Sequence, residues 1–306
     1  MTTQLDKPLL TRWAEFITRP TYLPLGSQSP RQTLQSVVQL FCFNIVVALA
    51  LAIPISLLSR MVGVKSEVTS IFENNSLPFV LLWGVLLMPF IEELVFRSFL
   101  RPSPLGLVAP LFPLLYYNGG MLLLIFHSTF GLRLPDNRWI VRGCLLLMAF
   151  LICLIAYKII KTRYSQVEAE QFYSKKIPYL FCFSSFIFGF LHVFNFAGIE
   201  KHFYLAPLLM LPYLIGGLTF GYVRIVYGFW WACFLHTLNN AYAFFPIGLF
   251  YAVVGIKPPE KPTVEAAVVT LILLIWLLGS LAIISKTVWK MVQESRGYYK
   301  KMKSQT

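Results

Sequence analysis

Two adjacent glutamates and an arginine, Glu92, Glu93 and Arg97, stand in the otherwise apolar run 77–100. An ionisable side chain at the centre of a membrane helix costs roughly 2.5–3.5 kcal/mol on the insertion scale, so three of them together need a reason. Glu93 and Arg97 are four apart, share a helix face and can pair. Glu92 is turned by about 100° from Glu93 and finds no partner on its own helix. A carboxylate left over in this way is expected to face a cavity or another polar group. Two further runs offer such groups. His192 ends the phrase Phe188-Gly189-Phe190-Leu191-His192, one turn after the phenylalanine, and His236 has Asn240 one turn later on the same face. Taken alone, the Glu-Glu-Arg cluster fits a structural ion pair or part of an ion path, and Asn240 fits a bridge between helices. The three runs together are harder to assign to packing.

The remaining polar and special residues read more plainly. His127 is expected to be a packing residue and His202 to lie in an external loop. Gly216, Gly217 and Gly221 are expected to let helices approach, and Arg224 to anchor a helix end at the interface. Five cysteines (Cys42, Cys144, Cys153, Cys182 and Cys233) fall in apolar segments without CxxC spacing, as small hydrophobes do rather than a disulfide frame or a metal cage.

The elements that must hold these residues are membrane helices. Of the 306 residues 57% are hydrophobic and 13% charged, about half the charge of a soluble domain, and the mean hydropathy is +0.68. The fold class is therefore all-α and polytopic, with about eight transmembrane helices and the site buried between them. The expected spans are 34–58, 77–100, 105–127, 139–160, 177–197, 203–223, 228–254 and 264–286. Alternating them from an inside N-terminus puts most of the Lys and Arg on the side of both termini, as cytoplasmic loops require. The net charge of +13 is thereby read as an orientation signal, not as a nucleic-acid surface. Residues 1–33 form a cytoplasmic N-terminal tail without a cleavable signal. With Trp13 and Phe16 among its charges, that tail either lies on the membrane or is disordered. The transmembrane domain runs over 34–286 and a basic cytoplasmic tail over 287–306. The stretch 158–176 reads as the longest cytoplasmic loop, and Pro258, Pro259 and Pro262 mark an external turn.

With its three runs, the sequence resembles the CPBP intramembrane proteases, named for CAAX proteases and bacteriocin-processing proteins and also called the Abi family. The family motifs EExxxR, FxxxH and HxxxN match Glu92-Glu93…Arg97, Phe188…His192 and His236…Asn240, in order and each on an expected helix. The resemblance covers 77–100 and 177–245. The chain departs from it in the two extra spans at about 105–160, an even number that keeps the orientation of the second motif. The resemblance implies an endopeptidase in which Glu92 activates a water. His192 would hold that water or the glutamate. His236 and Asn240 would stabilise the oxyanion, and Glu93 with Arg97 would brace the site. It leaves two chemistries open: no metal, or a divalent metal such as zinc held by Glu92, His192 and His236. The implied partners are the lipid bilayer and a membrane-associated protein or peptide substrate, prenylated or small, with no nucleic acid. The default location is a bacterial-type plasma membrane, and the basic-residue bias puts both termini in the cytoplasm. The competing reading is a membrane scaffold or immunity-type protein on the same fold that binds without cleaving. A transporter ranks third, since the two halves show no repeat.

Overall fold

Long apolar runs in a solvent without water must satisfy their own backbone, and helices are the solution the chain adopts. The computed structural model describes residues 7–22, 28–119, 138–255 and 263–304. In chain order the helices are α1 (Leu9–Thr18), α2 (Pro30–Met61), α3 (Val68–Asn74), α4 (Leu77–Leu100), α5 (Pro104–Val108), α6 (111–119), α7 (Arg138–Arg163), α8 (Gln166–Leu191), α9 (Ala206–Val226), α10 (Phe229–Val254) and α11 (Val264–Lys303). Seven of them, α2, α4 and α7 through α11, are long and apolar enough to cross a membrane, counting α8 with its extension to Asn195 and α9 from Phe203. They answer to seven of the eight expected spans. The remaining one, 105–127, begins in α5 and α6 and runs into residues outside the described set, as does His127.

Several boundaries differ from the sequence reading. The stretch 158–176 is no extended loop: α7 runs to Arg163 and α8 starts at Gln166, so Tyr164 and Ser165 alone separate them. Its charged residues are good helix formers, and hydropathy alone hides their helicity. For the same reason α11 continues past 286 to Lys303, a helix of 40 residues and about 60 Å, against a hydrocarbon core of about 30 Å. Within the N-terminal segment, α1 is amphipathic and buries Leu9, Thr11 and Phe16. Phe16 meets Phe181 and Tyr222 edge-on at 5.2 Å, and Trp13 meets Phe43 at 4.8 Å.

The chain divides into two compact units, one of residues Met1–Phe90 with Pro178–Thr306, the other of Ile91–Ile177. In the first unit α2 packs on α9, α10 and α11, and α9 on α10. Two short loops are joined there by the pairs Lys65↔Ala197 and Ser66↔Phe196 (β1, Lys65–Ser66; β2, Phe196–Ala197). Below them Ile55, Val64, Val193, Leu205 and Leu209 form a buried cluster. In the second unit Ser98 donates to the carbonyls of Leu94 and Gly106, at 2.6 and 3.0 Å, and the Tyr173 hydroxyl donates to the Phe99 carbonyl. These bonds close the chain reversal after α4. A Cβ at Gly106 would stand 2.6 Å from the Ser98 carbonyl oxygen, so that reversal requires glycine.

Candidate active site

Glu92, Glu93 and Arg97 belong to the 91–177 unit, and His192, His236 and Asn240 to the other. In the first group the expected pair is present. Arg97 Nη1 donates to Glu93 Oε1 at 2.8 Å, and both side chains are fully buried. One turn of α-helix brings them together, which is why the spacing of four reveals the pair. Glu92, next along the chain, is half-buried and on a different face.

The histidine group is built from three helices. α8 gives way at Leu191 to a 3-10 turn, His192–Asn195, so His192 stands at the helix end. Its Nδ1 lies 2.7 Å from the Phe188 carbonyl oxygen. A carbonyl only accepts, so Nδ1 carries the proton, and in the neutral ring Nε2 is the acceptor nitrogen. The ring is held on both sides, stacked on Tyr213 at 4.5 Å and 24° and tilted against Phe188 at 4.4 Å. Phe188 also meets His236 edge-on at 5.6 Å, and His236 stacks on Phe220 at 4.4 Å and 17°. The phenylalanine of the second motif is thus a spacer that contacts both imidazoles. α8 and α9 approach closely here: a Cβ at Gly189 would lie 3.0 Å from the Leu214 nitrogen and 3.1 Å from its Cα. Tyr213 and Gly189 were not singled out from sequence. The first is an ordinary aromatic in an apolar helix, and the second lies inside a motif that names only its ends.

Asn240 is committed to backbone. Its Nδ2 donates to the Gly84 carbonyl at 2.9 Å, as a bridge between α10 and α4. The acceptor has a specific origin. Residues Leu81–Leu87 of α4 form a π-helix, and the Met88 N–H bonds to the Trp83 carbonyl. The next N–H that could reach Gly84 would come from residue 89, which is proline and has none. The Gly84 carbonyl would be orphaned in an apolar medium, and the Asn240 carboxamide satisfies it. Phe244, one turn after Asn240, packs against Gly84, where an added Cβ would stand 3.0 Å from the ring. Phe90 meets Phe229 at 5.8 Å and stacks with Trp230 at 6.0 Å, a second point that fixes α4 beside α10.

A cavity of about 780 Å³ reaches Tyr213 from the loop end of α2, with Ala48, Ala52, Ile55 and Leu209 along it and Arg60 and Lys65 also in its wall. Among the described residues no three His, Cys, Asp or Glu side chains are grouped so as to hold a metal ion. His202, the fourth histidine, is half-buried, with its Nδ1 at 3.3 Å from the Tyr204 hydroxyl.

A chain whose described residues are almost wholly helical, with seven candidate spans among them and ionisable side chains buried inside one, is an integral, multi-pass membrane protein. The model of the family described as type II CAAX prenyl endopeptidase Rce1-like matches residues 74–242, more than half of the chain, and the protein belongs to that family of proteases. The matched segment contains all six candidate residues and agrees with the resemblance carried by the three motifs. No curated protein and no solved structure matches the chain.

Proposed function

We propose that this protein is an intramembrane endopeptidase that hydrolyses a peptide bond in a membrane-associated substrate, prenylated or a small peptide. The Glu92 carboxylate takes a proton from water as the hydroxide adds to the scissile carbonyl carbon. His236 and Asn240 donate to the resulting oxyanion, Asn240 through the second N–H of the carboxamide that braces Gly84. The C–N bond then breaks, and Glu92 returns its proton to the departing amine. His192 holds the water through Nε2, and the Glu93–Arg97 pair keeps the Glu92 helix in register. The observation that carries the reading is the fixed His192 ring. A bond to the Phe188 carbonyl and stacking on Tyr213 suit a group that must present one nitrogen in one direction. We route no step through a metal, and chelation tests that choice. Both termini are assigned to the cytoplasmic side on the basic-residue bias.

The test compares membranes carrying equal amounts of folded wild type and Glu92→Gln, with the released peptides read by mass spectrometry, with and without a chelator. Loss of products in the variant alone supports the reading. Loss on chelation as well would replace the metal-free mechanism. Identical peptide profiles would overturn catalysis and leave a binding protein on this fold.

A further inference from the structure

At the opposite side of the first unit from β1 and β2, α2 and α11 enclose a groove of about 550 Å³, lined chiefly by Arg31, Gln35, Gln39, Lys286, Thr287 and Lys290. The helices run antiparallel there. Cys42 and Ile45 pack on Ile284, while the groove uses lower numbers on α2 and higher ones on α11. The α2 wall has an ordered composition. Arg31, Gln35 and Gln39 follow one another every four residues, and Leu34 and Val38 form a parallel apolar column that also lines the groove. The start of α2 is fixed by reciprocal bonds between Ser29 and Gln32, which hold Arg31 in its first turn. Across the groove, Lys286 and Lys290 stand where α11 leaves its apolar stretch.

No lining residue is acidic. Lys290 reaches Glu294 at 4.0 Å in an exposed pair, while Arg31 and Lys286 have no carboxylate partner among the described residues. Three cations spread along the groove, two carboxamides among them and an apolar column alongside match one kind of ligand. A basic pocket between membrane helices at the headgroup level fits an anionic phospholipid. We propose that this groove is a binding site for one. The headgroup phosphate and its neighbouring oxygens lie between Arg31 of α2 and Lys290 and Lys286 of α11, with Gln35 and Gln39 as further donors and Leu34 and Val38 as apolar contacts. This site is separate from the candidate catalytic residues and holds whether or not the protein cleaves peptides.

Native mass spectrometry of the purified full chain, titrated with phosphatidylglycerol or phosphatidylcholine, tests it. Wild type retains the anionic lipid in preference to the zwitterionic one. The variant Arg31→Gln, Lys286→Gln, Lys290→Gln loses that preference, by about fivefold for each charge removed and about a hundredfold for all three. The control is Arg296→Gln, Lys300→Gln, Lys301→Gln, which removes equal charge from exposed positions further along α11 and keeps the preference. Lys286→Gln alone, a conservative change at an exposed position, shows the fivefold step even if the triple variant proves unstable. Inorganic phosphate at millimolar concentration does not displace the lipid. Equal loss in the triple variant and the control would reduce the effect to net charge and overturn the site, as would displacement by phosphate or an unchanged preference in both groove variants.

Discussion

The bond from Asn240 to Gly84 is a statement about backbone satisfaction, and a double-mutant cycle can read it. Asn240→Ala leaves the Gly84 carbonyl unsatisfied and should cost about 1–3 kcal/mol in detergent unfolding. Pro89→Ala restores an N–H at the residue that a π-helix would use for that carbonyl, so the second change should recover part of the loss caused by the first. Strict additivity would show that Gly84 has another partner. The Glu93–Arg97 pair makes the complementary prediction. Breaking it from one side, as in Arg97→Met, should cost about 3–5 kcal/mol, because a buried carboxylate is stranded. The joint replacement Glu93→Met, Arg97→Met should cost far less by the same unfolding measurement. These two contacts also show how far the sequence could be read at this scale. Glu93 and Arg97 are joined within one helical turn, so a count of four finds them. Asn240 and Gly84 are far apart in the chain, and the acceptor exists only because Pro89 and the π register free it. Counting residues along either helix alone gives no sign of it.

Among the elements, α8 and α9 carry the most exacting contact. Gly189 meets the backbone of Leu214, which cannot turn aside as a side chain could. Gly189→Ala should push α9 away and with it Tyr213, the ring stacked on His192. The expected result is folded protein with activity reduced at least tenfold, and with Tyr213→Phe close to wild type because the stacking face is kept. An unchanged rate in Gly189→Ala would mean that His192 does not depend on this crossing. The spans themselves were legible because hydropathy marks them, and their ends were not. Lys158, Lys161 and Lys175 read as loop by charge but continue the helices by propensity.

For the whole molecule, the N-terminal helix is a piece tied on by buried residues and carrying its own ion pair. Lys7 donates to Glu15 Oε2 at 2.7 Å, and this bond raises the lysine above its ordinary value of 10.5. A raised value in the folded state means that the contribution is complete below the unfolded value and fades as pH climbs through the folded one. The N-terminal end of α1 should therefore loosen only in strong alkali, seen as a change in the fluorescence of Trp13 in the same helix. In Glu15→Gln that change should begin at lower pH. Trp13 and Phe16 among charges were visible in the sequence, whereas their partners Phe43, Phe181 and Tyr222 lie on three distant helices, α2, α8 and α9, and could not be inferred from it.

The π segment Leu81–Leu87 also makes chain length itself a specified quantity. An α-helical path needs one residue fewer per hydrogen-bonded loop, so the segment stores slack that a deletion can take up. Removing a single residue there would let the segment close as α-helix, with Glu92, Glu93 and Arg97 beyond it facing much as before. The same deletion inside α8 or α10, which are α-helical throughout, would turn every side chain beyond it by about 100° and misdirect His192 or Asn240. In a library of one-residue deletions, loss should therefore concentrate in α8 and α10, while 81–87 tolerates a deletion best.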